Sequence, residues 1–404
     1  METFLAALTL QAGYNAALVA IGSALLGLAA GTGGTFLFLR KRALVSDAVA
    51  HATLPGICLA FIAMTALGGD GRSLPGLLAG SAVTAVLGLF AVQWIVGRTR
   101  LAEDTAIGAV LSVFFGVGVV LLTVIQNLDA GRQAGLEGFL LGATAGMLFE
   151  DAVIVATGGA LVAGLALLLH RPMIIVAFDA DYAAASGINV RHMDLAMMGL
   201  VTAVTVVGLK IVGLVLVVAL LIIPPVTARF WTERASMVAP IAGAIGGLSG
   251  YLGAALSASA PALPTGPVIV LVATALFLAS LFLAPARGVL SRLVAHRRFE
   301  ARVHRRQGLL SLSRAEPIHD RFTLAVLRRE GLIRPDGEPT ERGREEAGRA
   351  RHDEQRWEVI RRQHQHTAQS ERYDGLTPID EVLTPDEIAA IDTELRGAPL
   401  AGGA

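Results

Sequence analysis

Residues 13–42 read GYNAALVAIGSALLGLAAGTGGTFLFLRKR, an apolar run that ends in three consecutive basic side chains. About 20 apolar residues suffice to cross the roughly 30 Å hydrocarbon core of a bilayer. This stretch therefore predicts a membrane-spanning helix that ends at the membrane surface. It contains Gly27, Gly31, Gly33 and Gly34, and small residues of this kind let membrane helices approach closely. We expect these glycines to serve packing rather than ligand binding.

Further apolar runs follow along the first 286 residues. They predict spans at about 13–39, 43–67, 76–97, 105–125, 151–169, 194–209, 211–228, 237–258 and 266–284. Only Lys210 separates the sixth run from the seventh, so the count is eight if the two form one broken helix. The sequence predicts an all-α polytopic membrane protein with eight or nine transmembrane helices. It lacks a basic n-region and a small-residue cleavage site, so we expect no cleaved signal peptide.

The chain divides into two parts of different composition. It is 54% hydrophobic and 16% charged, whereas soluble domains carry about 25% charged residues. Residues 1–286 contain 13 acidic and 12 basic side chains, and the remaining 118 residues contain 20 acidic side chains and 21 arginines. We predict a transmembrane domain over 1–286, a basic linker over 287–309 and a cytoplasmic domain over 310–404. Cys58 is the only cysteine, which excludes an intrachain disulfide.

Basic residues are concentrated in alternate loops. Arg40, Lys41 and Arg42 follow the first span, arginine pairs follow the third, fifth and seventh, and the other loops hold one basic residue or none. The segment 287–306 carries seven arginines and one glutamate. Because positively charged loops remain on the cytoplasmic side, we expect a plasma (inner) membrane protein with its C-terminus in the cytoplasm.

One polar group interrupts the apolar pattern, in the sequence SDAVAHATLPG at 46–56. Asp47 and His51 are four residues apart and therefore share one helix face. Pro55 has no N–H, so the carbonyl of His51 loses its helical partner. An ionised carboxylate within a span costs about 2.5–3.5 kcal/mol, which favours a water-filled or protein-lined surrounding. Carboxylate with imidazole suits divalent ions such as zinc, manganese or iron.

A purely structural interpretation of the same pair is an ion pair that locks one helix to another. The depth of the pair is also open, because Asp47 lies only five residues beyond Arg42. Either the helix begins inside a protein-lined vestibule or the basic cluster is drawn into the membrane.

The segment RKRALVSDAVAHATLPGICLA at 40–60 resembles the signature of the manganese/zinc/iron ABC-transporter permeases. The resemblance extends over 13–285 and includes FDADYAAASGINVRHMD at 178–194 and GLKIVGLVLVVALLIIPPVTARF at 208–230. It implies a fold similar to that of cobalamin and siderophore importer permeases. It also implies three partners, namely a second permease subunit (identical or different), a cytoplasmic ABC ATPase and an extracytoplasmic metal-binding protein.

The resemblance also assigns roles to particular residues. Asp47 and His51 would be transient ligands of the transported metal, with no permanently bound cofactor. The loop 178–191 would be the coupling helix that docks on the ATPase, and its candidate contact residues are Asp179, Ala183, Ala184, Gly187 and Arg191.

Prolines within the spans are candidate hinges. Pro55, Pro224 and Pro225 have no N–H and so free helical carbonyls, although a static kink is the alternative.

The energy source allows several hypotheses. The only lysines, Lys41 and Lys210, do not follow a glycine, so the chain contains no P-loop and a separate subunit must hydrolyse ATP. An ion-gradient-driven secondary transporter of metal ions is the main alternative, since broken helices and intramembrane polar residues suit both classes. A membrane metalloenzyme is a third hypothesis, but the sequence contains no H-E-x-x-H motif.

The C-terminal extension resembles iron-dependent metalloregulators. LRREGLIRPDGEPTERGREEA at 327–347 resembles their winged-helix half, and TPIDEVLTPDEIAAIDTEL at 377–395 resembles their dimerisation region. His352 matches a regulator histidine ligand, whereas Arg356 stands where an acidic ligand is expected. We therefore expect a mostly helical, winged-helix-like domain without a regulator-type metal site. Its balanced charge predicts no nucleic-acid partner.

Overall fold

The computed structural model describes residues 2–69, 71, 73–127, 149–260, 263–363 and 375–397. The chain forms two compact units, Met1–Ser291 and Arg292–Ala404. The helices that lie wholly within the first unit are α1 (Glu2–Leu8), α2 (Tyr14–Leu39), α3 (Val45–Ala66), α4 (Leu74–Arg98), α5 (Glu103–Gln126), α6 (Phe149–Leu168), α7 (His170–Phe178), α8 (Ala180–Ala185), α9 (Val190–Val212), α10 (Leu214–Trp231), α11 (Ala235–Ala258) and α12 (Thr265–Leu283).

Among the described residues, eight helices are long and apolar enough to cross a membrane. They are α2 to α6, α9, α11 and α12. The seventh predicted span corresponds to α10, whose apolar part Val217–Trp231 is shorter. Each of the nine predicted runs thus coincides with one helix, and the predicted polytopic all-α fold is confirmed.

The break between the sixth and seventh runs lies at Gly213 and not at Lys210, so that part of the prediction is wrong. Helix α9 continues through Lys210 to Val212, and α10 begins at Leu214. A lysine is a good helix former, whereas Gly213 has φ 85° in the left-handed region that glycine adopts without a Cβ penalty.

Helices α2 and α11 approach so closely that their glycines admit no side chain. A Cβ on Gly27 would collide with the carbonyl oxygen of Gly246, and one on Gly31 with the carbonyl oxygen of Ala242. The two backbones therefore touch directly, as the small residues of this span predict. The expectation that these glycines serve packing is confirmed.

A second close contact joins α2 to the proline-containing part of α10. Pro224 and Pro225 lie inside α10 and are buried. Pro225 leaves the carbonyl of Leu221 without its usual helical donor. This carbonyl approaches Gly34 of α2 so closely that a Cβ there would collide with it. The Cα hydrogen in that position can instead donate a weak C–H···O contact, worth about 0.5–1 kcal/mol.

The second unit contains most of α13 (Val289–Ser313), followed by α14 (Arg321–Arg329) and α15 (Glu341–Gln363). An antiparallel bridge joins Ile333 to Pro339 between α14 and α15, on either side of the turn Pro335-Asp336-Gly337. These elements share a buried cluster formed by Leu309, Leu327, Leu332, Ile333 and Ala347. The predicted linker 287–309 is thus helical from Val289 onward and contributes Leu309 to this core.

The last part of the chain packs separately against the end of α15. It consists of a 3₁₀ turn, Ile379–Glu381, and α16 (Pro385–Gly397). Their shared apolar cluster is formed by Trp357, Ile360, Ile379 and Leu383. Arg356 donates hydrogen bonds of 2.7 Å to both carboxylate oxygens of Asp392, which ties α15 to α16. The residue that departs from the regulator pattern therefore serves an ion pair between helices.

Candidate functional site

Asp47 and His51 lie on one face of α3, as their spacing predicts. Nε2 of His51 is 3.4 Å from Oδ1 of Asp47. Asp47 belongs to the first turn of the helix, where the positive end of the helix dipole favours a carboxylate. The Asp47 side chain is 38% exposed and the His51 side chain is 17% exposed, so the pair lies at an accessible surface of the helix.

The second ring nitrogen of His51 lacks a polar neighbour. Nδ1 is buried and has no hydrogen-bond partner among the described residues. The ring instead meets the edge of Phe115 of α5, with 4.9 Å between centroids. Leaving a buried polar atom unsatisfied costs about 1–3 kcal/mol. The described residues therefore leave Nδ1 of His51 free of any hydrogen bond.

The opposite side of α3 is tightly packed. A Cβ on Gly56 would collide with Gly80 and Thr84 of α4. Leu54, seven residues after Asp47 and on nearly the same side of the helix, is buried beside Gly118 of α5. Asp47 and Leu59 are exposed by 38% and 50%, whereas residues 52–58 between His51 and Leu59 are all buried. Packing therefore fixes the orientation of α3 and leaves the Asp47 end of the pair accessible.

The pair does not form a complete metal site by itself. Within the described ranges, no group of three or more His, Cys, Asp or Glu side chains is placed to hold an ion. Two ligands from one chain leave the remaining positions to water or to another subunit.

A second polar cluster lies at the turn between α2 and α3. Nε and Nη2 of Arg40 contact the two carboxylate oxygens of Asp194 in α9, at 3.2 and 3.3 Å. Nη1 of Arg40 donates to the carbonyl of Val176 in α7, at 2.8 Å. This fork geometry is the strong bidentate arrangement of arginine with a carboxylate. One arginine therefore joins the start of the α3 turn to α7 and α9.

Arg42 extends the cluster to α5. It lies 3.1 Å from Glu103 and 3.6 Å from the second oxygen of Asp194. We call Arg40, Arg42, Glu103 and Asp194 the basic-turn cluster. Sequence reasoning assigned no role to Asp194, because its partner is 154 positions away. The available signal for Asp194 was its position at the end of the stretch 178–194, which carries the family resemblance and lies on the predicted side of the basic loops.

The predicted coupling loop contains a short helix held by its own cap. The carboxylate of Asp179 accepts a hydrogen bond of 2.9 Å from the amide of Tyr182, which begins α8. Ala183 is fully buried, whereas Ala184 is exposed. The preceding helix α7 was not predicted, because Arg171 was assigned to the basic loop after the fifth span. Pro172 is tolerated there because the first turn of a helix has no use for its missing N–H.

The rest of the loop presents an open surface. Gly187 adopts φ 81° and turns the chain toward α9, where Asn189 caps the helix by accepting from the amide of His192. Gly187 and Arg191 are exposed. Phe178 and Tyr182 are each 61% exposed, so the segment presents aromatic side chains as well as small residues. Exposed aromatic side chains around small residues are suited to docking against a protein groove.

Comparison with known proteins places this arrangement in a family. The model of the ABC 3 transport family matches residues 14–284. The manganese transport system membrane protein MntC of Bacillus subtilis (strain 168) is 41% identical over 298 residues, covering 74% of this chain and 67% of that protein. The zinc transport system membrane protein TroC of Treponema pallidum (strain Nichols) is 39% identical over 285 residues, covering 70% and 94%.

A solved structure agrees with these relatives. PsaBC from Streptococcus pneumoniae in complex with Fab superposes with a TM-score of 0.61 at 29% identity, covering 73% of this chain and 98% of that chain. The family match spans every membrane helix described above from α2 to α12. This chain is a member of the ABC 3 transport family, and hence a membrane transporter subunit rather than an enzyme.

Proposed function

We propose that this chain is the permease subunit of an ATP-driven importer that moves a divalent transition metal, namely manganese, zinc or iron. Asp47 and His51 are its transient metal ligands. The observation that carries this proposal is the Asp47–His51 pair on α3: Nε2 of His51 lies 3.4 Å from the partly exposed Asp47 carboxylate, and its buried Nδ1 has no hydrogen-bond partner among the described residues. The names of the relatives, one a manganese and one a zinc transport protein, support the same cargo class.

The chemistry of the pair suits a cargo. Imidazole and carboxylate both bind borderline divalent ions, and neither is a soft thiolate that would favour copper. A transported ion must bind well enough to enter and weakly enough to leave. Two ligands from one chain meet that requirement better than a closed four-ligand cage. A second permease subunit facing the open side of α3 would supply further ligands.

The coupling proposal rests on the surface of the 178–191 segment. Ala184, Gly187 and Arg191 are exposed beside the aromatic rings of Phe178 and Tyr182, and Asp179 and Ala183 hold the short helix in place. The ATPase would dock on this surface.

The basic-turn cluster gives that segment a route to the metal ligands. Arg40 contacts the carbonyl of Val176 in the helix that leads into the segment, and it also contacts Asp194 in the helix that follows it. The same arginine begins the turn into α3. A displacement of the docked segment would therefore shift the N-terminus of α3, the helix that carries Asp47. The metal-binding protein would deliver the ion on the opposite face, with the C-terminus in the cytoplasm.

The prolines Pro55, Pro224 and Pro225 are candidate hinges for alternating access. All three are buried within helices. A hinge would require the Leu221 carbonyl to leave Gly34 during the cycle, whereas a static kink would keep this contact in every state.

ATP-driven transport is tested with the permease, its ATPase and its binding protein in proteoliposomes. We expect uptake of labelled manganese or zinc to require ATP and to persist when ionophores abolish proton and sodium gradients. Uptake that continues without ATP and stops with the ionophores would instead identify the secondary transporter.

Docking is tested by crosslinking. Ala184→Cys should crosslink to a cysteine in the ATPase groove, because Ala184 is exposed in α8. Ala258→Cys is the matched control, since it is exposed at the predicted opposite face of the membrane. Native Cys58 is buried and should not compete. An active complex in which Ala184→Cys gives no crosslink would make the segment a simple connector.

Coupling itself is tested at Gly187, where any side chain would be strained at φ 81° and would enlarge the docking surface. Gly187→Glu should lower metal uptake about tenfold or more while ATP hydrolysis continues, because a misplaced contact of about 1 Å can cost 10²-fold in a positioned step. Gly68→Glu, also at positive φ (86°) but outside the segment, is the control. Equal uptake per ATP hydrolysed in wild type and Gly187→Glu would contradict the coupling role.

A further inference from the structure

The first half of α13 is a helical segment that the described residues leave uncovered. Residues 292–299 are exposed around the whole helix. Its large apolar side chains are therefore open rather than buried: Val289, Leu290, Leu293 and Val294 are 44–54% exposed. A helix with apolar side chains in this state has a surface that some other component must cover.

The apolar residues in the first two turns of α13 share one side of the helix. At 100° per residue, Val289, Leu290, Leu293 and Val294 fall within a single arc of about 140°. By the same rotation, Arg292 and Arg298 fall on the two flanks of this arc, and Arg297 lies in line with it, one turn beyond Leu293. The exposed Phe299 lies on the opposite side. Long arginine stems can lie along an apolar surface while the guanidinium reaches polar groups at its edge.

The start of α13 is fixed beside the ends of two membrane helices. The amide of Arg287 donates to the carbonyl of Phe230 near the end of α10, at 3.3 Å. The Arg287 side chain lies 3.5 Å from Glu233. Only residues 284–288 separate α13 from the end of α12 at Leu283. The apolar arc therefore begins where the spans reach the membrane surface.

The charges of α13 differ between its two halves. In the second half, Arg305 pairs with Glu330 and Arg306 pairs with Glu354. In the first half, Arg292, Arg297 and Arg298 have no ion-pair partner in the part of the chain that the structure describes. The only acid between 287 and 306, Glu300, lies 3.1 Å from His296. The first half is thus a basic surface whose counter-charge lies outside the described chain.

We propose that residues 289–299 lie in the membrane–water interface and bind anionic lipid headgroups of the adjacent leaflet. The apolar arc enters the boundary between headgroups and acyl chains, and Arg292, Arg297 and Arg298 contact lipid phosphates. Basic amphipathic helices bind interfaces in this way, and arginine clusters next to a span favour anionic lipid. The second half of α13 contributes Leu309 to the core of the C-terminal unit.

The test uses the full chain in nanodiscs. Cys58→Ala removes the single native cysteine, and a polarity-sensitive fluorophore is attached to Leu293→Cys within the arc. Ala295→Cys, which is exposed on the opposite side of the helix, is the matched control. Nanodiscs contain either zwitterionic lipid alone or added phosphatidylglycerol, with and without nitroxide-labelled acyl chains.

We expect acyl-chain nitroxides to quench the probe at position 293 and not the probe at 295, and phosphatidylglycerol to increase the quenching. Replacing Arg292, Arg297 and Arg298 by Gln should weaken the membrane-bound state by roughly fivefold per arginine and remove the lipid dependence. Equal quenching at both positions, or none at 293, would overturn the proposal. Protection of position 293 only after the ATPase is added would overturn it too, because the surface would then belong to a protein partner.

Discussion

Two carboxylates beside the same basic turn have opposite surroundings. Asp194 is contacted by both Arg40 and Arg42 and is 18% exposed. Asp47 lies five residues beyond Arg42 and is 38% exposed, and its one ion-pair partner among the described residues is the His51 imidazole. The fold therefore directs its available guanidinium groups to one acid and leaves the other to a histidine whose remaining nitrogen is unsatisfied.

The contrast separates a structural acid from a functional one. A charge near the membrane is costly unless it is paired, and the basic-turn cluster meets this condition while holding α5, α7 and α9 to the turn before α3. The Asp47–His51 pair joins two residues of one helix and locks no other helix. The interpretation of this pair as a lock between helices therefore has less support than the cargo-site interpretation.

The largest effect on stability is expected at Asp194. Asp194→Ala should lower the free energy of unfolding by about 3 kcal/mol, because it leaves two partly buried arginines without their shared partner. Thermal unfolding of the detergent-solubilised chain measures this. Asp47→Ala is the matched control and should cost at most about 1 kcal/mol. Equal unfolding temperatures for Asp194→Ala and wild type would break the contrast.

A smaller effect is expected where the fold satisfies a backbone carbonyl. Gly34→Ala should destabilise the membrane unit by about 1–3 kcal/mol, because the added methyl group collides with the Leu221 carbonyl and α2 must shift. Gly116→Ala, which has open space at the same point, is the control and should be near neutral. An unchanged unfolding free energy in Gly34→Ala would mean that α10 can move away from α2 at Leu221, which would favour the hinge.

The smallest effect is expected at Asp392 in the second unit. Its pKa lies below the usual range because Arg356 donates two hydrogen bonds to the carboxylate. A carboxylate with a lowered folded pKa contributes stability above its unfolded pKa of about 3.9 and loses it as pH falls through the folded pKa. Wild type should therefore unfold at a higher temperature than Asp392→Asn at pH 7, and this difference should shrink as pH falls below about 3.9 and through the lower folded pKa. Fluorescence of buried Trp357 can follow it, and a difference independent of pH would contradict the ion-pair account.

Sequence reasoning predicted much of the fold for identifiable reasons. A span needs a long apolar run, and such a run is visible without any knowledge of its neighbours. The tight packing of Gly27 and Gly31 was predictable too, because close helix approach in membranes requires small residues. The shared face of Asp47 and His51 followed from helical periodicity alone.

The features that sequence reasoning missed depend on distant partners or on local backbone geometry. The pairing of Arg40 with Asp194 joins residues 154 positions apart, which no local pattern encodes. The break at Gly213 is not evident from the sequence, because a single glycine within an apolar run is not distinctive, whereas Lys210 is the visible charge between the two runs. The unsatisfied Nδ1 of His51 depends on what the folded chain leaves out of its neighbourhood, which only a structure can display.

The most direct test of the central claim measures metal uptake per folded molecule in Asp47→Ala, His51→Ala and Asp194→Ala permeases, each reconstituted with the ATPase and the binding protein. The account predicts that Asp47→Ala and His51→Ala keep a normal folded yield and lose uptake by at least about tenfold, the scale on which altered metal environments reduce activity. It predicts that Asp194→Ala mainly loses folded yield. A reduced yield of Asp47→Ala or His51→Ala with normal uptake per folded molecule would contradict it and make the pair structural.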